Sequence, residues 1–486
     1  MLREVALLLE KEVRRLRRVN REQLAVIDHF QGRDSGLELQ IELDYLKIVL
    51  AQRERALFGS SSEKRSGPDT TPRHREPQKG HGPSEQLKLP VVDVPHELKE
   101  TERTCPACSG QLEEWSDQHE VSEEITVVER HFVLTRHLRK KYRCRCNAAV
   151  VTAPGPLKLI PGGRYSAAFA VDVAINKYLD HLPLERQCRV MEREGLTITS
   201  QTLWDQLNAL ARVLEPTYEA LGQRILAELV VHADETRWRF SGRGETKTHW
   251  VWCLTSSSVA FYRILASRSK DAASTMLDQY EGSVVADGYG AYQALARAGP
   301  GFTLAHCWAH ARRKLVEIEG DFPELTGEIL DLIGELYAIE RTVPAANAEE
   351  SEEEAAARLE LRTQLRQERS RPVLERIRTW AEAQDELPRS GLGEAVRYLL
   401  GLWPGLTRFL EDPHIPLDNN PAERALRGIV VGRKNHYGSR SRRGCQVAAL
   451  FYTLCETAKL RAIEPRAYLL RATANALKEP GAVTYP

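Results

Sequence analysis

Three carboxylates stand where strands and helices could bring them together. Asp234 follows the apolar run in AELVVHADET and Asp287 follows the one in SVVAD, so we expect each aspartate to end a strand. Glu423 lies farther along the chain, in IPLDNNPAERALRG at residues 415–428. Carboxylate oxygens bind hard divalent cations such as Mg²⁺ or Mn²⁺, and these ions bind phosphate and activate water. The three residues therefore predict a metal site suited to phosphate chemistry.

Each carboxylate also has a purely structural interpretation. Asp234 or Asp287 alone could serve as a strand-end turn or a helix cap. For the third carboxylate, Asn420 would be the N-cap, Pro421 would fit the first helical position, and Glu423 at N3 would close a capping box. The roles of cap and metal ligand do not exclude each other at Glu423.

The order of elements around the aspartates favours a shared site. Three strand-like segments are followed by a helix, the strand SVVAD, a second helix and the strand FTLAHC. This is the order of an RNase H-like domain, in which the first and fourth strands of a mixed sheet are parallel neighbours. Asp234 and Asp287 would then lie side by side. His232 would share the face of Asp234, as a support or a core histidine, whereas Glu235 would point away and is left out of the site.

Positive charge is concentrated just after the third carboxylate, although the formal net charge of the chain is zero. Residues 424–443 contain no acidic residue and carry Arg424, Arg427, Arg433, Lys434, Arg440, Arg442 and Arg443. Such a segment suits a phosphate backbone, and His436 and Tyr437 within it could stack on bases or contact sugars. A solvated basic face is the alternative.

The segment HCWAHARRK supplies a second group of candidate residues. Cys307 and His310, at the end of a predicted strand, could support the active-site edge or contact DNA, or could be a buried thiol and a capping histidine. The cations that follow are expected to contact phosphates, with a plain surface face as the alternative; they are Arg312, Arg313 and Lys314.

Two closely spaced cysteine pairs predict a small zinc-ribbon-like module. Zn²⁺ is bound tetrahedrally by thiolates from two tight turns, and the candidate ligands are Cys105, Cys108, Cys144 and Cys146. The second pair is C-x-C, one residue shorter than the usual C-x-x-C. His131 or His137 could substitute as ligands, and a metal-free ribbon remains the alternative.

The pattern along the whole chain predicts a multidomain α+β protein. Apolar residues at alternating spacings of four and three near the N-terminus are typical of coiled-coil helices, which favours a homo-oligomer over packing on the same chain. After residue 155, LERQCRVMERE, a turn at Gly195 and a second helix have the form of a helix-turn-helix, although most such pairs merely pack together. The predicted regions are a coiled coil (1–59), a disordered linker (60–92), the zinc-ribbon-like module (93–155), a helical DNA-binding-like domain (156–222), an RNase H-like catalytic domain (223–443) with a helical insertion (315–410), and C-terminal helices (444–486).

Several of these stretches resemble the insertion sequence 66 family of DDE transposases over nearly the whole chain. The matching stretches are LFGSSSEK, CPAC with KYRCRC, PLERQ, HADET, ADGY, HCWAHARRK, and PLDNNPAERALR with GRKNHYGS. The resemblance implies that Asp234, Asp287 and Glu423 form a catalytic Asp-Asp-Glu triad that binds Mg²⁺ or Mn²⁺. It also implies that the substrates are double-stranded transposon ends and target DNA, and that accessory proteins come from the same element. The family more usually has C-x-x-C where this chain has Cys144-Arg-Cys146.

Two other functions compete with a transposase. One is a metal-dependent nuclease without strand transfer, and the other is a non-catalytic DNA-binding regulator. Intact carboxylates at all three positions argue against the regulator, since an inactive copy is free to lose any of them. The sequence has neither a membrane-spanning apolar run nor a cleavable leader pattern, so we expect a cytoplasmic protein. The resemblance implies that it is bacterial and associated with the nucleoid when bound to DNA.

Overall fold

The computed structural model describes residues 131–143, 150–242, 245–299, 301–346, 350–384 and 390–486, and in addition the single residues Asp93, His96, Ala107 and Gln111. The predicted coiled coil, the linker and the four zinc-ligand candidates Cys105, Cys108, Cys144 and Cys146 lie outside the described residues. Among the helices that are described, none has the length and apolarity needed to span a membrane.

The described chain contains two sheets. Strands β1 (Lys141–Arg143) and β2 (Val150–Thr152) form a short antiparallel pair. The larger sheet consists of β3 (Val230–Gly242), β4 (Glu245–Thr255), β5 (Ala260–Leu265), β6 (Ser283–Ala286) and β7 (Thr303–His306). Its spatial order is β5-β4-β3-β6-β7, with β3, β4 and β5 antiparallel and β3, β6 and β7 parallel. This order agrees with the mixed sheet predicted from the sequence.

Helices surround and extend this sheet. Before β3 come α1 (Ala167–Tyr178), α2 (Leu184–Arg193) and α3 (Ser200–Ile225). Between β5 and β7 lie α4 (Lys270–Leu277) and α5 (Gly290–Ala296), and α6 (Trp308–Val316) follows β7. Next are α7 (Pro323–Glu340), α8 (Glu352–Leu365), α9 (Arg371–Glu382), α10 (Gly391–Gly401) and α11 (Trp403–Leu406). The chain ends with α12 (Asn420–His436), α13 (Arg442–Leu460) and α14 (Pro465–Lys478).

The strand that carries Asp234 is longer than predicted. We expected Asp234 to end the strand, but β3 continues to Gly242. The reason lies in its two neighbours: β6 pairs with only the first residues, Val230–His232, whereas β4 pairs with β3 from His232 through Gly242. Asp234 therefore lies just past the end of the parallel pairing, inside a strand rather than at its end.

The outer edge of the sheet is covered by a helix that satisfies its backbone. β5 is an edge strand, and unpaired edge groups are costly when they are buried. Thr453 Oγ1 on α13 accepts a hydrogen bond from Tyr262 N at 3.0 Å, and Thr457 Oγ1 accepts one from Ala260 N at 3.2 Å. Because both threonines are fully buried, α13 closes this edge against pairing with another chain.

The segment between α6 and α12 is helical, as predicted, and has its own apolar core. Helices α6, α7, α9 and α10 contribute Trp308, Ile333, Leu336, Ile377 and Leu392 to this core. Helix α8, which contains the acidic stretch, buries no residue and is a solvated helix. A π-helical turn at Arg366–Ser370 joins α8 to α9.

Arg366 connects this helical region to the loop that precedes α12. Its side chain is 1% exposed and donates to the carbonyl oxygens of Phe409 (2.6 Å), Asp412 (3.0 Å) and Ile415 (2.9 Å). It also pairs with Glu340, Nε to Oε1 at 2.6 Å. The guanidinium thereby fixes three carbonyls in the chain segment that leads to Glu423.

The predicted pair of helices separated by a glycine turn is present. Gly195, between α2 and α3, has a φ of 85°, a left-handed conformation that glycine adopts without strain. Thr199 caps α3, its hydroxyl accepting a hydrogen bond from Thr202 N at 3.2 Å. α3 is 26 residues long and buries one apolar face, so much of this helix serves packing.

Candidate active site

The two aspartates lie at the same level on neighbouring parallel strands. In the pairing of β3 with β6, His232 is opposite Val285, and Asp234 and Asp287 each follow two residues later. Asp234 Oδ1 accepts a hydrogen bond from Glu235 N at 2.7 Å, and Asp287 Oδ1 accepts one from Tyr289 N at 2.9 Å. Both side chains are partly accessible at this edge of the sheet.

Asp287 and Glu423 both act electrostatically on Asp234. The pKa of Asp234 is raised to about 8, mainly by burial and further by the negative charges of Glu235, Asp287 and Glu423. Carboxylates gathered in one place must take up a proton or bind a cation to relieve their repulsion. The three carboxylates therefore concentrate negative charge, which a bound cation or a proton would stabilise.

Glu423 is held by helix α6 rather than by the aspartates. It lies in the first turn of α12, and its Oε1 is 3.4 Å from His310 Nε2 and 3.4 Å from Arg313 Nη2. Within the described ranges, no three His, Cys, Asp or Glu side chains are close enough to hold one metal ion as they stand. His310, which was predicted as a possible support of the site, lies against the carboxylate of Glu423.

The start of α12 differs from the prediction by one residue. The N-cap is Asn419 rather than Asn420, and Glu423 is the fourth helical residue and closes no capping box. Asn419 makes no side-chain cap either, because its amide bonds to the sheet: Nδ2 donates to Ala233 O at 2.8 Å, and Oδ1 is 3.2 Å from His232 Nδ1. Its backbone N–H donates to Cys307 Sγ at 3.1 Å.

Asn419 therefore connects three of the chain segments that carry candidate residues. It is 0% exposed and joins β3 beside Asp234, the Cys307 thiol before α6, and the first turn of α12. Burial lowers the pKa of His232 to about 4, so this histidine is neutral and supports Asn419. Cys307 is also buried, which raises the pKa of its thiol to about 12. Sequence reasoning missed Asn419, since an Asn-Asn-Pro stretch gives no sign that its first residue bonds to a strand 186 residues earlier.

An open groove of about 480 Å³ lies beside Glu423. Its lining includes three guanidinium side chains, those of Arg312 and Arg313 on α6 and Arg427 on α12. The phosphates of a polyanion fit such a groove, because the arginines present several N–H donors and positive charge next to Glu423.

The basic segment divides into exposed and internally bonded residues. Arg433 donates to Thr236 Oγ1 at 2.7 Å and to the Arg237 carbonyl, while Arg443 pairs with Glu215 at 3.1 Å. Arg433 thereby connects α12 to β3, and Arg443 connects α13 to α3. The exposed cations of the segment are Arg424, Arg427, Lys434, Arg440 and Arg442, and Lys314 on α6 is exposed as well.

The prediction that His436 could stack on bases is wrong. Its ring packs against Trp238 with 5.6 Å between centroids, and its Nε2 is 3.2 Å from Tyr452 Oη. Burial lowers the pKa of His436 to about 3, so the ring is neutral. The neighbouring Tyr437, in contrast, is 67% exposed.

Glu235 has its own partners and needs no metal to balance its charge. Its side chain is fully buried and accepts hydrogen bonds from Arg268 Nε at 2.6 Å and Tyr292 Oη at 2.7 Å. This pairing agrees with leaving Glu235 out of the site. It also fixes the backbone N–H that donates to Asp234.

Comparison with known proteins identifies two family models in this chain. Residues 162–447 match the model described as "Transposase IS66 family", and residues 102–147 match the "zinc-finger binding domain of transposase IS66". The first match covers the sheet, the helical region and all three carboxylates; the second covers the four cysteines.

Similar curated proteins come from Sinorhizobium fredii (strain NBRC 101917 / NGR234). The uncharacterized protein y4jD is 32% identical over 406 residues, which is 78% of this chain and 76% of that protein. The uncharacterized protein y4hP is 27% identical over 501 residues, covering 97% and 86% of the two chains. Together with the family match over more than half of the sequence, these likenesses show that the chain belongs to the IS66 family of transposases.

Proposed function

We propose that the protein is the DNA transposase of an insertion sequence, which binds the element ends and catalyses metal-dependent strand cleavage and strand transfer. The observation that carries this proposal is the convergence of Asp287, on the parallel neighbour strand, and Glu423, on α12, upon the carboxyl of Asp234. Three partly accessible carboxylates, of which Glu423 lines an arginine-rich groove, suit a phosphodiester substrate.

The donor set fits divalent cations. Asp234, Asp287 and Glu423 would hold Mg²⁺ or Mn²⁺. The pKa of Asp234 is raised first by burial and then by the neighbouring negative charges, and a bound cation would offset both effects. When bound, the metal polarises the phosphate and lowers the pKa of water or of a 3′-hydroxyl. Glu423 would exchange its contacts with His310 and Arg313 for this role.

The surrounding residues position the DNA. Arg312, Arg313 and Arg427 would bind phosphate oxygens in the groove, and Asn419 would hold α12 in register with β3. In the first step, water attacks the phosphorus and the 3′-oxygen of the cut strand leaves. In the second, that 3′-hydroxyl attacks a target phosphodiester, so that one P–O bond forms as another breaks and no covalent enzyme intermediate is needed.

Recognition of the element ends is assigned to the N-terminal half. Phosphate contacts orient a duplex without reading its sequence, so sequence must be read elsewhere. The α2–α3 pair and the zinc-finger region would supply base contacts, and the predicted coiled coil would pair two subunits so that both ends meet. Zn²⁺ would be held by the cysteines of that region, and accessory proteins of the element would complete the assembly in the bacterial cytoplasm.

Product analysis on labelled DNA tests the proposal. The protein is incubated with the element's own ends, Mg²⁺, target DNA and the accessory proteins, and products are separated on denaturing gels. Joined products support the transposase. Nicks without joining would indicate a nuclease, and binding without either product would indicate a regulator.

A further inference from the structure

Tyr437 occupies a backbone conformation that disfavours its side chain. It is the C-cap of α12, with φ 57° and ψ 29°, in the left-handed region. Glycine or asparagine is the usual residue at such a position, and a bulky residue there is strained. The identity of residue 437 is therefore not explained by the turn.

The turn itself is rigidly fixed by the sheet. Tyr437 N donates to Arg433 O at 3.0 Å, Ser439 N donates to Arg239 O at 3.0 Å, and Ser241 N donates to Ser439 O at 2.9 Å. The turn requires glycine at position 438, because its φ is 82° and a Cβ there would come within 1.9 Å of the Arg239 carbonyl oxygen. The strain at Tyr437 is thus imposed by docking on β3, and a smaller residue would serve the backbone better.

The ring of Tyr437 is presented to solvent among cations. It is 67% exposed and has no hydrogen bond or ring contact to any described residue. The exposed side chains of Lys434, Arg440 and Arg442 flank it in sequence, and no acidic residue occurs between 424 and 443. An aromatic face within a positively charged surface is the arrangement that binds an unstacked nucleobase while the cations bind its phosphates.

We propose that Tyr437 is a base-stacking residue that receives an unpaired nucleobase of the bound DNA. The inference rests on the proposed function, which brings DNA to α12. Fourteen residues separate Tyr437 from Glu423, or about 21 Å along the helix at 1.5 Å per residue. At 3.4 Å per nucleotide, the stacked base lies within about six nucleotides of the cut phosphate.

The test compares the full-length protein with its Tyr437→Asn and Tyr437→Phe variants. Fluorescence anisotropy measures the Kd for a blunt 30-base-pair duplex of mixed sequence and for the same duplex with unpaired arms. We expect Tyr437→Asn to weaken binding to the forked DNA about 5- to 150-fold, the range for loss of one base–aromatic stack, and to leave the blunt duplex unchanged. Tyr437→Phe should retain fork binding, and Tyr437→Asn should unfold at the same temperature as wild type or higher, because the strain is relieved.

Several results would overturn the inference. Unchanged fork binding in Tyr437→Asn, or equal loss on both DNAs, would remove the stacking role. A lower particle mass of Tyr437→Asn with unchanged DNA affinity would assign the ring to a contact between protein copies. If the protein joins DNA normally but its Kd for forked DNA does not depend on Tyr437, the inference fails and the proposed transposase function is retained. Tyr437-dependent fork binding in a protein that never cuts DNA would retain the stacking site and count against the transposase.

Discussion

Replacing Asn419 by alanine should disturb both the fold and the site, because this amide joins α12 to the sheet. The substitution keeps the backbone hydrogen bond to Cys307 but removes both side-chain bonds, to Ala233 O and His232 Nδ1. Each partner is left buried and unpaired, at about 1 to 3 kcal/mol per group. We therefore expect a loss of at least about 2 kcal/mol in the free energy of unfolding, measured by urea denaturation followed by fluorescence.

Asn420→Ala provides the matched control. Asn420 is the same residue type one position later, is half-buried, and makes no side-chain hydrogen bond to any described residue. Its removal should change stability by no more than about 0.5 kcal/mol. If Asn420 were the helix cap, as local sequence preference suggests, its substitution would cost about 1 kcal/mol and Asn419→Ala would cost less.

The Asn419→Ala variant also tests whether Asn419 positions Glu423. A shift of α12 relative to β3 should lower the rate of strand transfer about 100-fold while the Kd for duplex DNA is retained. Activity is measured at a temperature where Asn419→Ala remains folded, as judged by its unfolding curve. A variant with wild-type stability and wild-type strand transfer would refute the positioning role.

Three further predictions concern other parts of the chain. Arg366→Met should destabilise the fold by about 3 to 5 kcal/mol, because it leaves the buried carbonyls of Phe409 and Ile415 without their donor and removes one ion pair of Glu340, which keeps its pair with Arg362. Arg376→Met, which removes an exposed ion pair, should cost less than about 1 kcal/mol; urea denaturation compares the two variants. His436 is neutral in the fold with a pKa of about 3, so its contribution to the free energy of unfolding is complete above pH 6.5 and falls by up to about 1.4 kcal/mol per pH unit below that. Unfolding measured at pH 7 and pH 5.5 should show a smaller loss of stability with falling pH in His436→Gln than in wild type. An identical loss in both proteins would refute this prediction. Metal analysis should find zinc in the purified chain and less of it in Cys105→Ser; a zinc-free chain that still binds DNA would show a metal-free ribbon.

The sheet and the position of the aspartates could be predicted because they depend on local patterns. Alternating and continuous apolar runs identify strands, and their sequence with the intervening helices restricts the possible order. The end of β3 could not be read in this way, since Asp234 continues to pair with Cys253 on β4. No residue in HADET indicates where β3 stops pairing with the parallel strand β6 and continues to pair only with the antiparallel strand β4.

The residues that hold the site together depend on contacts between distant segments. Asn419, Cys307 and Ala233 meet only after the sheet and α12 have packed, so neither spacing nor helix propensity identifies Asn419 as the residue that joins them. His436 lies in a basic segment yet faces the core, because the helical face is decided by packing on Trp238 and Tyr452. Composition predicted the charge of this segment but not which side chains remain free for DNA.

The most direct test of the central claim is strand transfer by Glu423→Gln. Labelled DNA with the element's ends is incubated with target DNA, the accessory proteins and either Mg²⁺ or a chelator, and the matched control is Glu360→Gln on the solvated helix α8. We expect Mg²⁺-dependent joined products from wild type and Glu360→Gln, and none from Glu423→Gln, although Glu423→Gln should still bind DNA. Normal joining by Glu423→Gln would remove this residue from the catalytic site and contradict the account.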